Sequence, residues 1–262
     1  MRLDLTSSTI LAIFLASTAR CNAGAVNEGA GRGLAISTQT TDIATNYLNP
    51  NGQESTIARY EKRERSLYFE FGLTNQLMVF GRLSRTQATL EGASAQAGKG
   101  PNDIGLQFQV LRRTNLALAL QATAHLESRD LQPANWLYGQ RLAEPELRAL
   151  IGQNIFIAGK KNYYEAQFGF RKGRADRPDE IHLDITHAMT LSPHTSVMTQ
   201  LFITRTTGSA NLPAQAFEER KVQISFLREF GPYSLQIGTF HTSSGRNVYS
   251  GKGTLVSLWL RL

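Results

Sequence analysis

The sequence predicts an all-β protein, a single transmembrane up-and-down antiparallel β-barrel of about 12 strands with periplasmic termini. Two observations carry this expectation. Runs of about ten residues alternate apolar and polar side chains, the period of a strand with one face toward lipid and one toward a lumen. The connections between the runs alternate short and long, as tight periplasmic turns and longer outside loops do. The short ones are Gly72 to Gln76, Arg112 to Asn115, Ala158 to Asn162, Ser192 to Thr195 and Gly231 to Pro232. The long ones are Thr40 to Thr56, Ala88 to Asn102, Ser128 to Glu144, Gly173 to Asp179, Gly208 to Ala214 and Ser244 to Gly253.

The chain opens on an export address. Arg2 precedes the apolar run Ile10 to Ala16, and small residues at Cys21 and Ala23, or at Ala23 and Ala25, fit an A-x-A-like cleavage site. The run is about half the ~20 residues that a spanning helix needs, so it reads as a signal peptide over 1–25 followed by a barrel domain over 26–262. Arg20 stands where a lipoprotein places a small residue before its lipidated cysteine, which argues against lipidation of Cys21. Because Cys21 is the chain's one cysteine, the mature protein is expected to hold no disulfide and no thiolate metal site.

Strands are expected near 32–39, 57–72, 76–87, 103–111, 115–127, 146–157, 162–172, 180–190, 195–206, 215–229, 233–243 and 254–262. An even count returns both ends to the periplasm. The first, Gly33 to Gln39, alternates weakly, so a ten-stranded barrel with an N-terminal plug is the alternative. Elsewhere the faces are legible. Leu116, Leu118, Leu120, Ala122, Ala124 and Leu126 point one way, and Ala117, Ala119, Gln121, Thr123, His125 and Glu127 the other. Ile104, Leu106, Phe108 and Val110 face lipid opposite Asp103, Gly105, Gln107 and Gln109. Phe168 and Phe170 oppose Glu165, Gln167 and Arg171, Leu183 and Ile185 oppose His182 and Asp184, and Leu258 opposes Ser257. In 195–206 the phase is ambiguous, since Met198 and Phe202 are nearly as apolar as Val197, Leu201 and Ile203.

Composition agrees with a membrane protein that lacks helical spans. Mean hydropathy is slightly negative while apolar residues make up 41% of the 262, enough for a lipid-facing band at alternate positions. The net charge of +7 is dispersed or mixed with acids, as in Glu61-Lys62-Arg63-Glu64-Arg65, which with export argues against nucleic acid as a partner.

Short motifs add a resemblance. Glu70-Phe71-Gly72-Leu73-Thr74-Asn75-Gln76-Leu77 resembles the E-Y-G-L-T-D-x-L segment of the phenol meta-pathway degradation family of outer-membrane proteins. Gly100-Pro101-Asn102-Asp103-Ile104-Gly105-Leu106 resembles its G-x-G-D-x-x-L strand start, and Gly245-Arg246-Asn247 with Trp259-Leu260-Arg261-Leu262 is similar to its G-R-N and W-Y-R-F. The likeness runs from about Gly33 to Leu262, with Phe71 in place of a tyrosine and Leu262 in place of an aromatic C-terminus. It implies an outer-membrane protein that helps hydrophobic compounds cross the envelope.

The inward phase collects Glu70, Arg82, Glu127, Arg148, Glu165, Arg171, His182, Asp184, Lys221 and Arg261 as lumen-lining binding candidates of both signs. In a narrow barrel they should pair across neighbouring strands, Glu70 with Arg82, Glu165 with Arg171 and Asp184 with Lys221. No cofactor and no metal site is expected, since the five histidines are scattered and His182 and His187 fall on opposite faces. His241-Thr242-Ser243-Ser244-Gly245 is similar to the H-x-S-N-G segment of outer-membrane phospholipases and lipid A deacylases, so a lipid acyl hydrolase using His241 and Ser243 is the alternative function. A purely structural barrel is another. No Asp or Glu follows to orient the histidine, and the chain is therefore read as no enzyme. The expected function is passage of a small, hydrophobic or amphipathic compound across the outer membrane. The expected partners are outer-membrane lipid and lipopolysaccharide, the barrel-assembly machinery during insertion, and an unidentified small molecule.

Overall fold

A computed structural model describes residues 24–99, 102–126, 144–173, 178–207 and 216–262. The expected leader up to residue 23, and Glu127, lie outside them. The described chain forms β1 (Gly33–Leu48), β2 (Glu54–Gly72), β3 (Leu77–Leu90), β4 (Gln96–Lys99), β5 (Asn102–Arg112), β6 (Leu116–Leu126), β7 (Glu144–Ile157), β8 (Lys160–Arg171), β9 (Asp179–Ser192), β10 (Thr195–Thr207), β11 (Glu218–Phe230), β12 (Tyr233–Arg246) and β13 (Val248–Arg261). Each strand pairs antiparallel with its neighbours, and β1 pairs with both β2 and β13, which closes the sheet. The short β4 and β5 share one place beside β3, so the barrel has twelve positions. Closure leaves no sheet edge, the condition for backbone polar groups in hydrocarbon.

The two faces separate as the alternation predicts. Ile104, Leu106, Phe108 and Val110 are each about half exposed on the outside, as are Leu120, Phe168, Val256 and Leu258, while Gln107, Gln109, Glu165 and Ser257 are buried within. The ambiguity in β10 resolves with Met198 and Phe202 inward, because the lumen carries an apolar wall at that point. On the inner face Phe80 stands opposite Gly105, where an added Cβ would lie 2.3 Å from the ring, so only glycine leaves that ring its place.

Two expected long loops are largely strand instead, and a third, Ala88 to Asn102, contains β4. In place of a loop from Thr40 to Thr56, β1 runs to Leu48 and β2 begins at Glu54, joined by a turn in which Asn49 Oδ1 accepts from the amides of Asn51 and Gln53 at 2.9 and 3.0 Å. In place of a loop from Ser244 to Gly253, only Asn247, at φ 54°, separates β12 from β13. At about 3.3 Å per residue the 19 residues of β2 span about 60 Å, well beyond an apolar band of about 25 Å. Past the lipid both faces meet water, so the apolar alternation vanishes while the backbone ladder continues.

The N-terminal segment turns into the barrel, so the structure combines twelve strands with the plug of the ten-stranded alternative. Gly31 N–H donates to the Gly72 carbonyl at 2.9 Å and Gly72 N–H to the Arg32 carbonyl at 2.9 Å, at the end that carries the short turns. Further in, Gln109 accepts from the Asn27 amide at 2.8 Å and donates to the Ala25 carbonyl at 3.0 Å, while Arg112 donates to the Asn27 carbonyl at 2.7 Å. Ala25 and Val26 pack on Ala117, Ala119 and Leu150. A second cluster, Leu34, Tyr163, Ala188, Met198, Leu227 and Trp259, fills the same end from the other side.

Candidate functional site

Beyond the N-terminal segment the lumen holds a cavity of about 530 Å³. Its two walls differ. On the side of β2 to β9, alternate residues of neighbouring strands bring ionised groups into one chain of contacts. Arg82 reaches Glu64 at 3.3 Å and Asp103 at 3.8 Å, and His125 bridges Asp103 through Nδ1 at 2.6 Å and Glu146 through Nε2 at 2.7 Å. Arg148 then pairs with Glu146 through Nε and with Asp184 through Nη1 at 2.5 Å, while donating to Gln167 at 3.1 Å. Arg171 meets Glu146 at 3.3 Å and Glu180 at 3.2 Å, and His182 meets Glu180 at 3.1 Å. Glu146, 1 % exposed, is the hub that three cationic or imidazole groups share. Gly169 lies opposite Arg148, and a Cβ there would come within 2.7 Å of Glu146 Oε1, so its missing side chain makes room for the pair.

On the wall of β10 to β13 and β1, none of the described residues that line the cavity is ionisable. Ile36, Met198, Phe202, Leu255 and Trp259 supply apolar surface to the cavity. Between them run neutral hydrogen bonds, with Gln223 donating to Gln200 at 2.6 Å, Trp259 Nε1 donating to Gln236 at 3.2 Å, and Thr38 meeting Ser257 at 2.9 Å. The cavity's charged groups therefore all lie on one side, among Tyr68, Phe80, Tyr163, Gln121 and Gln167, while the other side is apolar with amides.

The expected lumen residues distribute by depth. Arg82, Arg148, Glu165 and Asp184 line the cavity. Arg171 and His182 sit in the ion chain beside it, and Lys221 pairs with Glu219 at 3.3 Å and Asp42 at 3.9 Å. Glu70 is buried among residues at the plugged end, where Tyr68 donates to it at 2.9 Å, and Arg261 pairs with Glu229 at 3.0 Å. Glu127 lies outside the described residues. The expected pairings of Glu70 with Arg82, Glu165 with Arg171 and Asp184 with Lys221 do not form. Register explains each: Tyr68 rather than Glu70 stands opposite Arg82, Gly152 and Thr186 flank Glu165, and Phe202 stands between Asp184 and Lys221. Sequence reasoning missed Glu146, Asp103, His125 and Glu64 as site members. Glu146 shares the inward phase of Arg148 two residues on, a signal that the sequence contained.

No protein-family model and no curated protein matches the chain. Among solved structures, an outer-membrane channel from Pseudomonas putida F1 is similar at TM-score 0.67 and 10% identity, covering 91% of this chain and 98% of that one. The fold is that of an outer-membrane barrel. The NanC porin is similar at TM-score 0.59 and 6% identity over 87% of this chain and 100% of its own. LpxR from Salmonella typhimurium, an enzyme, is similar at 0.55 and 9% over 87% and 99%. Channels and an enzyme thus share the architecture, and the site must decide between them.

At the candidate catalytic pair, Ser243 Oγ donates to the Arg220 carbonyl at 3.1 Å rather than to His241. The His241 side chain has no hydrogen-bond or ion-pair partner among the described residues, so none of them holds its ring toward the hydroxyl. Replacing Ser243 by alanine is expected to leave phospholipid and lipid A acylation in the host membrane unchanged, read by mass spectrometry of extracted lipid. Acyl release by the wild type that disappears in the variant would establish the hydrolase.

Proposed function

We propose that the barrel admits a small amphipathic molecule, and that it acts as a passage rather than as a hydrolase. The observation that carries this is the two-sided cavity. An apolar portion gains by leaving water for Trp259, Met198, Phe202 and Leu255, at about 25 cal/mol per Å² buried, while a polar head retains hydrogen bonds to Gln200, Gln223 and Gln236. The arginines and His125 on the other wall are already matched by carboxylates, so an anionic head would enter without a free counter-ion. A neutral or zwitterionic head fits. The likeness to an outer-membrane channel and to a porin supports passage as the use of this lumen.

The chain has two tryptophans, Trp136 and Trp259. In a W136F background, a brominated short-chain amphiphile with an uncharged head is expected to quench Trp259 emission saturably, while lipid brominated on its acyl chains leaves it bright. Quenching that rises linearly without saturation, or that equals the lipid effect, would remove the binding cavity from the proposal.

A further inference from the structure

Glu165 differs from the other carboxylates of the cavity. It is 4 % exposed and has no Arg, Lys or His within ion-pair distance among the described residues, whereas Asp103, Glu146 and Asp184 each have at least one. Three neutral donors surround it: Tyr163 Oη at 2.5 Å, Gln167 Nε2 at 2.6 Å and the Ala25 amide at 2.7 Å. A carboxylate buried with hydrogen bonds but no counter-charge retains much of its desolvation cost. What stands against it is Gly24. A Cβ on that residue would lie 2.1 and 2.2 Å from the two carboxylate oxygens, so only glycine fits against them. The Gly24 Cα therefore rests on the carboxylate, and its nitrogen is one bond away.

The expected cleavage site offers two cuts. A cut after Ala25 would discard the amide that donates to Glu165, the carbonyl that accepts from Gln109, and a methyl wholly buried against Ala117, Ala119 and Leu150. A cut after Ala23 keeps all three. Water then cleaves the Ala23–Gly24 C–N bond under the envelope's leader peptidase: the hydroxyl goes to the Ala23 carbonyl carbon and one proton to the Gly24 nitrogen, and the new Ala23 carboxylic acid ionises, its proton turning the Gly24 amine into an ammonium. We propose that the mature chain begins at Gly24 and that its α-ammonium is the buried counter-ion of Glu165, so that leader removal seats the N-terminal segment in the lumen. The inference rests on reading residues 1–23 as an exported leader and is independent of what the cavity binds.

The test uses protein exported with its own leader and purified from outer membranes. Its intact mass is expected to match a chain starting at Gly24, and a start at Val26 overturns the proposal. Residues 24–32 contain no lysine, so an amine-directed label on the tryptic peptide ending at Arg32 reports the α-amine alone. In the folded wild type that peptide should label at least about tenfold more slowly than after unfolding, as for a group reached only by local opening. E165Q and G24A, both assembled as heat-modifiable barrels, should lose the protection. A freely labelled wild type overturns the proposal whether or not the variants assemble, and so does equal protection in E165Q.

Discussion

Replacing Arg148 by alanine is expected to lower the unfolding free energy by about 3 to 5 kcal/mol, the cost of removing one partner of a desolvated pair. Arg148 joins Glu146, whose side chain is fully buried, to Asp184, which has no other ion pair among the described residues, so the variant leaves Asp184 without a cation and Glu146 with Arg171 and His125 alone. Arg148→Lys should recover only part of the loss, because an ammonium lacks the planar fork that serves two acceptors at once. Urea unfolding in detergent and planar-bilayer conductance, measured on the same preparations, separate a packed lumen from a wet one. A loss of stability accompanied by a higher conductance marks the ion chain as a structural constriction. An unfolding curve within about 1 kcal/mol of wild type, with altered ion selectivity alone, would mean that these groups are hydrated like surface pairs and would end the constriction account.

The second large effect lies on the opposite face of the wall. Leu120 is mid-strand in β6, 53 % exposed and paired with Phe108, while its neighbour Gln121 faces the cavity and donates to Gln107 at 2.6 Å. Leu120→Arg should cost about 2 to 4 kcal/mol, the cost of a guanidinium near the bilayer midplane, and Gln121→Arg much less. Refolding into lipid vesicles with a denaturant series measures both. Equal costs for the two would contradict the assignment of lipid and lumen faces.

Legibility in this chain followed the range of the interaction concerned. Whether a side chain faces lipid or lumen is set by the pleat, a property of two consecutive residues, so Phe108, Leu120, Phe168 and Leu258 could be placed outside from alternation alone. The first strand was the hardest to see because its outward face carries Ser37, Gln39 and Thr41, which erases the contrast on which the reading depends. Its extension to Leu48, like that of β12 to Arg246, was invisible for a related reason. Beyond the lipid a strand is held by ladder hydrogen bonds to its neighbours, and those leave no mark on side-chain polarity.

Partners across the lumen belong to the other kind. Arg171 meets Glu146 and Glu180 because register sets it beside both, and Glu165, with the same phase on the same strand, is left to Ala25 and Gly24 from a segment 140 residues away in sequence. The sequence by itself therefore determined the barrel class, the strand order and the facing of most strands, β1 and β10 excepted, since these follow from local period and turn spacing. Only the tertiary structure decided which charges pair, how far the strands rise past the membrane and what fills the plugged end. Those depend on the relative depth of residues on different strands, which closure of the whole barrel sets and no local pattern encodes.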